Sequence, residues 1–101
     1  MVSKPIFVHN KLFNSYASAM RRIRYIIETH NISKPFEGEE KAFFLSLLDL
    51  HVDRESKIGC GIESIYVQYN LYGQKEVGFR RIDGSIDNFS VLKCLNGGIH
   101  R

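Results

Sequence analysis

The stretch that decides the fold is residues 61–89, GIESIYVQYNLYGQKEVGFRRIDGSIDNF, in which apolar and polar side chains alternate. A repeat of two residues is typical of half-buried strands. A glycine-bearing connection over residues 70–75 separates the first strand from the second. Asp83-Gly84 is a strong two-residue hairpin signal that places residues 85–89 on a third strand. The stretch therefore predicts a three-stranded antiparallel sheet.

Helices are predicted on the N-terminal side of this sheet. Asn14-Ser15 offers an N-cap, and apolar residues then recur at helical spacing to about Thr29. A second helix is predicted over residues 38–50, followed by a polar, basic loop over residues 51–61. A short edge strand is expected over residues 4–9.

Beyond the sheet, Ser90 is expected to cap a final helical turn. The predicted fold class is α+β, with two helices packed on a small antiparallel sheet in the order β-α-α-β-β-β. One domain is expected over residues 1–95, with residues 96–101 as a flexible tail.

Composition limits the kind of protein. The 101 residues suit one domain, and 44% hydrophobic side chains argue against disorder. The formal charge of +3 is compatible with a polyanionic partner without requiring one. No apolar run approaches a membrane span, and two cysteines make no disulfide framework. A soluble, cytoplasmic protein with no membrane association is expected.

The second half of the chain also carries an ordered series of short motifs, in the order His51, Lys57-Ile58-Gly59-Cys60-Gly61-Ile62, Val67, Arg81-x-Asp83-Gly84-Ser85 and Phe89-Ser90-x-x-Lys93-Cys94. In order and spacing, this series resembles the DCL ("defective chloroplasts and leaves") family, whose module is also called the DeCL domain or DUF3223. Two positions depart from the family pattern. Asn88 stands where the family usually has an acidic residue, and Val91 stands where it favours an aromatic one. Any role that the family's acidic and aromatic side chains have at these two positions is therefore not assigned to Asn88 and Val91.

The resemblance implies a role connected with RNA. Family members in chloroplasts and mitochondria are linked to ribosomal RNA maturation and ribosome assembly. The same module closes the largest subunits of plant RNA-silencing polymerases. The family has no established catalytic chemistry, and because no transit peptide is recognised, the chain looks like a stand-alone prokaryotic or phage version.

The candidate nucleic-acid contacts are basic residues with one aromatic side chain, because RNA-binding proteins commonly pair positive charge with stacking surfaces. They are Lys57, Arg80, Arg81, Lys93, Arg54, Tyr66 and Arg24, and Arg21 and Arg22 extend the same predicted patch. The alternative is that these charges are merely solvated. We predict a non-enzymatic domain that binds structured RNA. A protein-interaction module or homodimer with exposed Tyr66, Tyr69 and Tyr72 is the alternative.

Three motif positions have both a structural and a functional interpretation. Residues 57–61, KIGCG, form either a phosphate-contacting loop or a turn with positive φ at one or both glycines. Because a strand follows this segment, dinucleotide-binding and Walker-type loops are excluded. Arg81 is expected to face the same side as Val77 and Phe79, so it needs either a carboxylate (Asp83 or Asp87) or a bound phosphate.

The third position is His51, whose functional interpretation is a catalytic or ligand role, because imidazole titrates near neutral pH. Its position favours the structural interpretation, in which the ring is partly buried and hydrogen-bonded to the loop that follows. The other motif positions given structural roles are Gly59, Gly61, Asp83, Gly84, Phe89 and Ser90. No catalytic residue, cofactor or metal is predicted, since Cys60, Cys94, His9, His30, His51 and His100 lack the paired spacing of closed zinc sites. A nuclease built on Asp83, Asp87 and Lys93 is a distant alternative.

Overall fold

The computed structural model describes residues 6–8, 11–91 and 94–95. Predictions for Lys93 and for residues 96–101 lie outside this range. The elements are β1 (Ile6–Val8), β2 (Lys11–Phe13), α1 (Tyr16–Thr29), α2 (Gly38–Leu48), α3 (Arg54–Ile58), β3 (Ile62–Tyr69), β4 (Lys75–Arg81) and β5 (Ile86–Phe89). The α+β class and the three-stranded antiparallel sheet, in the order β3-β4-β5, are confirmed.

The element order differs from the prediction in two places. β2 pairs with β1 in a separate two-stranded sheet, and α3 occupies part of the predicted loop. Both are too short, at three and five residues, for a hydrophobic period to show. The helical turn predicted after the sheet is present, because Val91, Cys94 and Leu95 are helical and Cys94 N–H donates to Ser90 O at 3.1 Å.

Helix α1 begins where its cap predicts. Ser15 has extended backbone angles, and its Oγ accepts the Ser18 N–H at 3.1 Å. Ala19, Ile23 and Ile27 are buried against the inner face of the sheet. That face presents the side chains that alternate inward along the strands, namely Ile65, Val67, Val77, Phe79 and Phe89. Helix α2 adds four buried residues to the same core, namely Phe43, Phe44, Leu47 and Leu48.

The turn between β4 and β5 is longer than two residues. Arg81 N–H donates to Ser85 O at 2.8 Å, and Gly84 adopts a φ of 89°. Asp83 holds the turn, because its Oδ1 accepts from Ser85 N–H at 2.9 Å and from Ser85 Oγ at 2.6 Å. These bonds from Ser85, its hydroxyl first, lower the pKa of the Asp83 carboxyl. The predicted hairpin is therefore present with a longer loop.

Both outer edges of the three-stranded sheet are partly covered. On the β3 edge, Ile65 O accepts the Phe36 N–H at 2.7 Å and Glu63 O accepts Lys41 Nζ at 3.0 Å. On the β5 edge, Asn88 O accepts Lys57 Nζ at 2.8 Å. Such cover blunts edge-to-edge pairing between molecules. Within the described residues, no helix combines the length and apolar character needed to cross a bilayer.

Candidate nucleic-acid interface

Two of the predicted RNA contacts, Lys57 and Arg81, converge on one carboxylate. Lys57 Nζ lies 3.4 Å from Asp87 Oδ2, and Arg81 Nη2 lies 3.1 Å from the same oxygen. Lys57 belongs to α3 and Asp87 to β5, so the three side chains tie this helix to the edge of the sheet. We call Lys57, Arg81 and Asp87 the Asp87 clamp. Of the two candidate partners for Arg81, Asp87 is the one that forms the ion pair.

Arg81 is held by more than its ion pair. Its Nε donates to Lys57 O at 2.7 Å, its Nη1 donates to Ser85 Oγ at 3.2 Å, and its guanidinium carbon lies 5.1 Å from the centre of the Phe79 ring. The side chain also crosses Gly59, where a Cβ would come within 3.2 Å of Arg81 Cδ. The inward position predicted for Arg81 is confirmed, and its donors bind protein groups.

The glycines of the predicted phosphate loop have turn geometry. Gly59 follows α3 with a φ of 54°, and Gly61 has a φ of 122° directly before β3. Positive φ is costly for side chains other than glycine. The turn alternative is thus the one that the backbone shows. The ammonium of Lys57 is directed at the Asp87 carboxylate and at Asn88 O on the β5 edge.

The Asp87 clamp makes the free energy of unfolding depend on pH. Partial burial raises the pKa of Asp87, but the Asn88 N–H bond and the charges of Lys57 and Arg81 outweigh it, so the pKa lies below its ordinary value of 3.8. A lowered folded pKa gives stability that is present above the unfolded value and lost as the pH falls through the folded one. We expect Asp87→Asn to be less stable than wild type at neutral pH, with the difference shrinking below pH 3.8. Urea unfolding midpoints over a pH series measure this, and a difference independent of pH would contradict it.

The arginines of α1 have a different environment. Arg21, Arg22 and Arg24 are exposed, and none forms an ion pair within the part of the chain that the structure describes. Arg22 lies over the Tyr25 ring at 5.9 Å. Successive helical residues are about 100° apart, so Arg21, Arg24 and the exposed Glu28 share one side of the helix, which we call the α1 flank. Arg22 points to nearly the opposite side of α1 from Arg24.

A groove of about 290 Å³ runs between α1 and the end of the sheet where β4 begins and β5 ends. Arg24 lines it from α1, and Lys75 and Glu76 line it from β4. Lys75 Nζ donates to Glu28 O at 2.9 Å, which fastens the start of β4 to the last turn of the helix. Sequence reasoning missed Lys75 and Glu76, because they fall in the predicted turn or directly after it.

Tyr66 lies on the outer face of the sheet and is half-buried. It pairs with Gly78 on β4, where a Cβ would come within 2.9 Å of the Tyr66 ring and 2.6 Å of Gln68 Oε1. The ring therefore covers the glycine of the neighbouring strand. Less of it is available for stacking than the alternation of β3 predicts. Nearby, Glu76 Oε2 accepts from Gln68 Nε2 at 2.7 Å and from Asn88 Nδ2 at 2.9 Å.

Within the described residues, neither Arg80 nor Arg54 forms an ion pair with a carboxylate or shares one with Lys57 and Arg81. Arg80 is exposed on the outer face of β4, opposite Arg81, and lines a shallow depression together with Tyr66 and the acidic Glu63. Arg54 is half-buried in the first turn of α3. The structure thus divides the predicted patch into the Asp87 clamp, the α1 flank, and these two separate positions.

His51 is buried, as predicted, and its Nδ1 accepts the Asp53 N–H at 2.9 Å in the following loop. Cys94 is also buried, and burial raises the pKa of its thiol to about 12, which leaves it protonated at neutral pH. Cys60 is exposed. Across the described ranges, no three His, Cys, Asp or Glu side chains are grouped so that they could hold a metal ion.

Comparisons with known proteins give a family and a fold relative. A family model described as "Protein of unknown function (DUF3223)" matches residues 24–95, which include every motif residue of the clamp. The solution NMR structure of an uncharacterized protein from Rhodospirillum rubrum is similar at 28% sequence identity with a TM-score of 0.83, over 91% of this chain and 88% of that one. No curated protein gives a significant match.

Proposed function

Because the chain belongs to the DUF3223 family of proteins of unknown function, we propose its function from its surface, as a small non-enzymatic domain that binds structured RNA through the α1 flank. The observation that carries the proposal is the exposure of Arg21 and Arg24 without an ion-pair partner in the described part of the chain. Helix α1 contains three arginines and one glutamate, so its surplus charge is positive. The resemblance to DCL proteins adds the connection with RNA.

The other predicted contacts are ranked by their surroundings. Lys57 and Arg81 already neutralise Asp87, so their charges are less available to phosphates. Arg80 is free of ion pairs among the described residues, but the depression that it lines also contains Glu63. A carboxylate beside an arginine weakens the attraction for a polyanion. The α1 flank has two arginines against the single carboxylate of Glu28, whereas Arg80 is the one arginine beside Glu63. We therefore place the main phosphate contacts on α1 and a weaker one at Arg80.

Binding by phosphate contacts predicts strong salt dependence, because each neutralised phosphate releases condensed counterions. A fluorescent RNA hairpin, a single-stranded RNA and a duplex DNA are titrated with the protein at two salt concentrations. We expect micromolar or tighter binding that favours the RNA hairpin and falls steeply with salt. If none of the three binds at low salt, the proposal is wrong.

Variants on the two sides of α1 locate the surface. We expect Arg24→Ala, and more so the double change with Arg21→Ala, to weaken hairpin binding and to reduce the salt slope by about 0.7–0.9 for each arginine removed. Arg22→Ala is the matched control, since it removes the same charge from the opposite side of the same helix. Equal losses in the two single variants would indicate a general charge effect and would count against the α1 flank.

One observation favours a protein partner as the second candidate. At the tip of the β3–β4 hairpin, Leu71 and Tyr72 are exposed. Two hydrogen bonds hold the turn, because Asn70 Oδ1 accepts from Tyr72 N–H at 2.8 Å and from Gln74 N–H at 3.0 Å. Exposed tyrosine is a common interface anchor. Light scattering after size exclusion tests for a homodimer, and a pull-down from nuclease-treated lysate tests for a partner that is independent of RNA.

A further inference from the structure

The groove between α1 and the end of the sheet has an apolar floor. Apolar side chains from α1, the sheet and the turn that follows it line this floor, namely Met20, Ile23, Ile27, Val77, Phe89 and Val91. The volume of about 290 Å³ is at the lower end of the range for ligand pockets, so the groove fits one large side chain better than a long segment. We therefore expect an occupant with an apolar body of that size.

The charged groups at the rim of this groove are cationic. Arg24 lines it from α1, and Lys75 lines it from β4. Arg24 forms no ion pair within the described residues, and Lys75 Nζ donates to the main-chain oxygen of Glu28, which leaves it further N–H groups to donate. Glu76 also belongs to the lining, but its carboxylate accepts its hydrogen bonds on the outer face of the sheet, away from the groove. The rim therefore favours an occupant with a negative charge.

The start of β4 also offers main-chain groups. Arg81 N–H bonds to Ser85 O, and alternate residues back along β4 direct their N–H and C=O to the same side, down to Lys75. The pairing of β4 with β5 ends at Val77 and Phe89. In the part of the chain that the structure describes, the main-chain groups of Lys75 thus lie beyond the end of β5 without a hydrogen bond on that side. An extended peptide would satisfy them, as in the addition of a strand to a sheet edge.

An apolar floor, a cationic rim and an unpaired strand edge together match the end of a polypeptide chain. We propose that the groove binds the C-terminus of a partner protein whose last residue is large and apolar. The last side chain lies on the floor, the peptide main chain bonds to that of Lys75, and the terminal carboxylate binds Arg24 and the Lys75 ammonium. A free apolar acid matches the floor and the rim but leaves the main chain of Lys75 unsatisfied. The inference goes beyond RNA binding and does not depend on it, and since Arg24 also belongs to the α1 flank, peptide and RNA are expected to compete.

The test measures fluorescence anisotropy of a labelled peptide, Gly-Ser-Thr-Val-Thr-Leu with a free C-terminal carboxylate, in the absence of RNA. We expect saturable binding. Amidation of the C-terminus removes the charge, and replacement of the final leucine with serine removes the apolar body, so each change is expected to weaken binding about tenfold. Isocaproate is the matched competitor, because it keeps the carboxylate and the branched apolar body of leucine but has no peptide main chain. We expect it to bind about tenfold more weakly than the peptide.

Variants of α1 locate the site. Met20→Trp fills the groove without changing charge and is expected to abolish peptide binding, while Tyr25→Trp is the control, because it places an indole at an exposed position of the same helix outside the groove. Arg24→Ala is expected to weaken binding of the free-acid peptide about tenfold and to leave the weaker binding of the amidated peptide unchanged. Arg22→Ala removes the same charge from the opposite side of the helix and is expected to change neither. Circular dichroism of Met20→Trp confirms that it is folded.

A measurement on the wild-type protein tests the main-chain contact. The amide proton of Lys75 is expected to shift downfield in NMR spectra when the peptide is added, because it gains a hydrogen bond. If no peptide binds, or if the amidated peptide binds as tightly as the free acid, the inference is overturned. Equal affinity for isocaproate would overturn it in favour of a small-molecule site. If Met20→Trp weakens binding of the RNA hairpin and no peptide binds, the groove belongs to the RNA surface, which overturns the inference while the proposed function stands.

Discussion

Replacing Arg81 with alanine is expected to lower the free energy of unfolding by about 2–3 kcal/mol. Removing one partner of a fully buried ion pair costs about 3–5 kcal/mol, because the other charge is left buried and unpaired. Here the side chains of Arg81 and Asp87 are 14% and 36% exposed, so solvent reduces that cost. The loss also includes the hydrogen bond to Lys57 O at 2.7 Å and the contact with the Phe79 ring.

The adjacent arginine supplies the control. Arg80→Ala changes the same residue type one position earlier, on the opposite, exposed face of β4, and is expected to alter stability by less than about 0.5 kcal/mol. Urea unfolding of the two variants measures the difference directly. Equal stabilities of Arg81→Ala and Arg80→Ala would show that the Asp87 clamp does not stabilise the fold. Arg81 would then again be a candidate RNA contact.

The alternation after Gly61 was sufficient to predict much of this region. It predicted β3, β4 and the hairpin to β5, and it placed Arg81 on the inner side of its strand, where it needs either a carboxylate or a bound phosphate. It left Asp83 and Asp87 as equal candidates. The choice between them depends on the turn, because Asp83 Oδ1 is occupied by Ser85. The sequence predicted a shorter loop between β4 and β5. A hydrophobic repeat also carries no information about hydrogen bonds between side chains within a turn.

The grouping of the basic residues was not predictable in the same way. Lys57 meets Asp87 across 30 positions of sequence because α3, a five-residue helix in a predicted loop, docks on the β5 edge. The groove likewise forms where β5 stops before the start of β4, and strand ends are set by tertiary packing. Sequence identified the charged residues. Which of them pair internally and which face solvent depended on the packing of a helix that carries almost no periodic signal.

A loop residue with a core role leads to the prediction with the largest effect. Phe36 lies between α1 and α2, directly after Pro35, where the sequence predicts only that the first helix has ended. It is 1% exposed and stacks between Phe44, at a ring-centre distance of 4.4 Å, and His30, at 4.0 Å. Its N–H also covers the β3 edge by donating to Ile65 O.

Phe36→Ala is expected to lower the free energy of unfolding by about 3–5 kcal/mol, the usual cost of removing a buried phenyl ring. Because a domain of this size has about 5–15 kcal/mol in total, the variant would be close to its folding threshold. Ile32→Ala in the same loop removes a side chain that is 42% exposed and should cost far less. Similar unfolding midpoints for the two variants would contradict the prediction. A large difference between the two midpoints would show that the loop between α1 and α2 belongs to the core. Phe36 is the residue of this loop that joins α2 to the edge of the sheet.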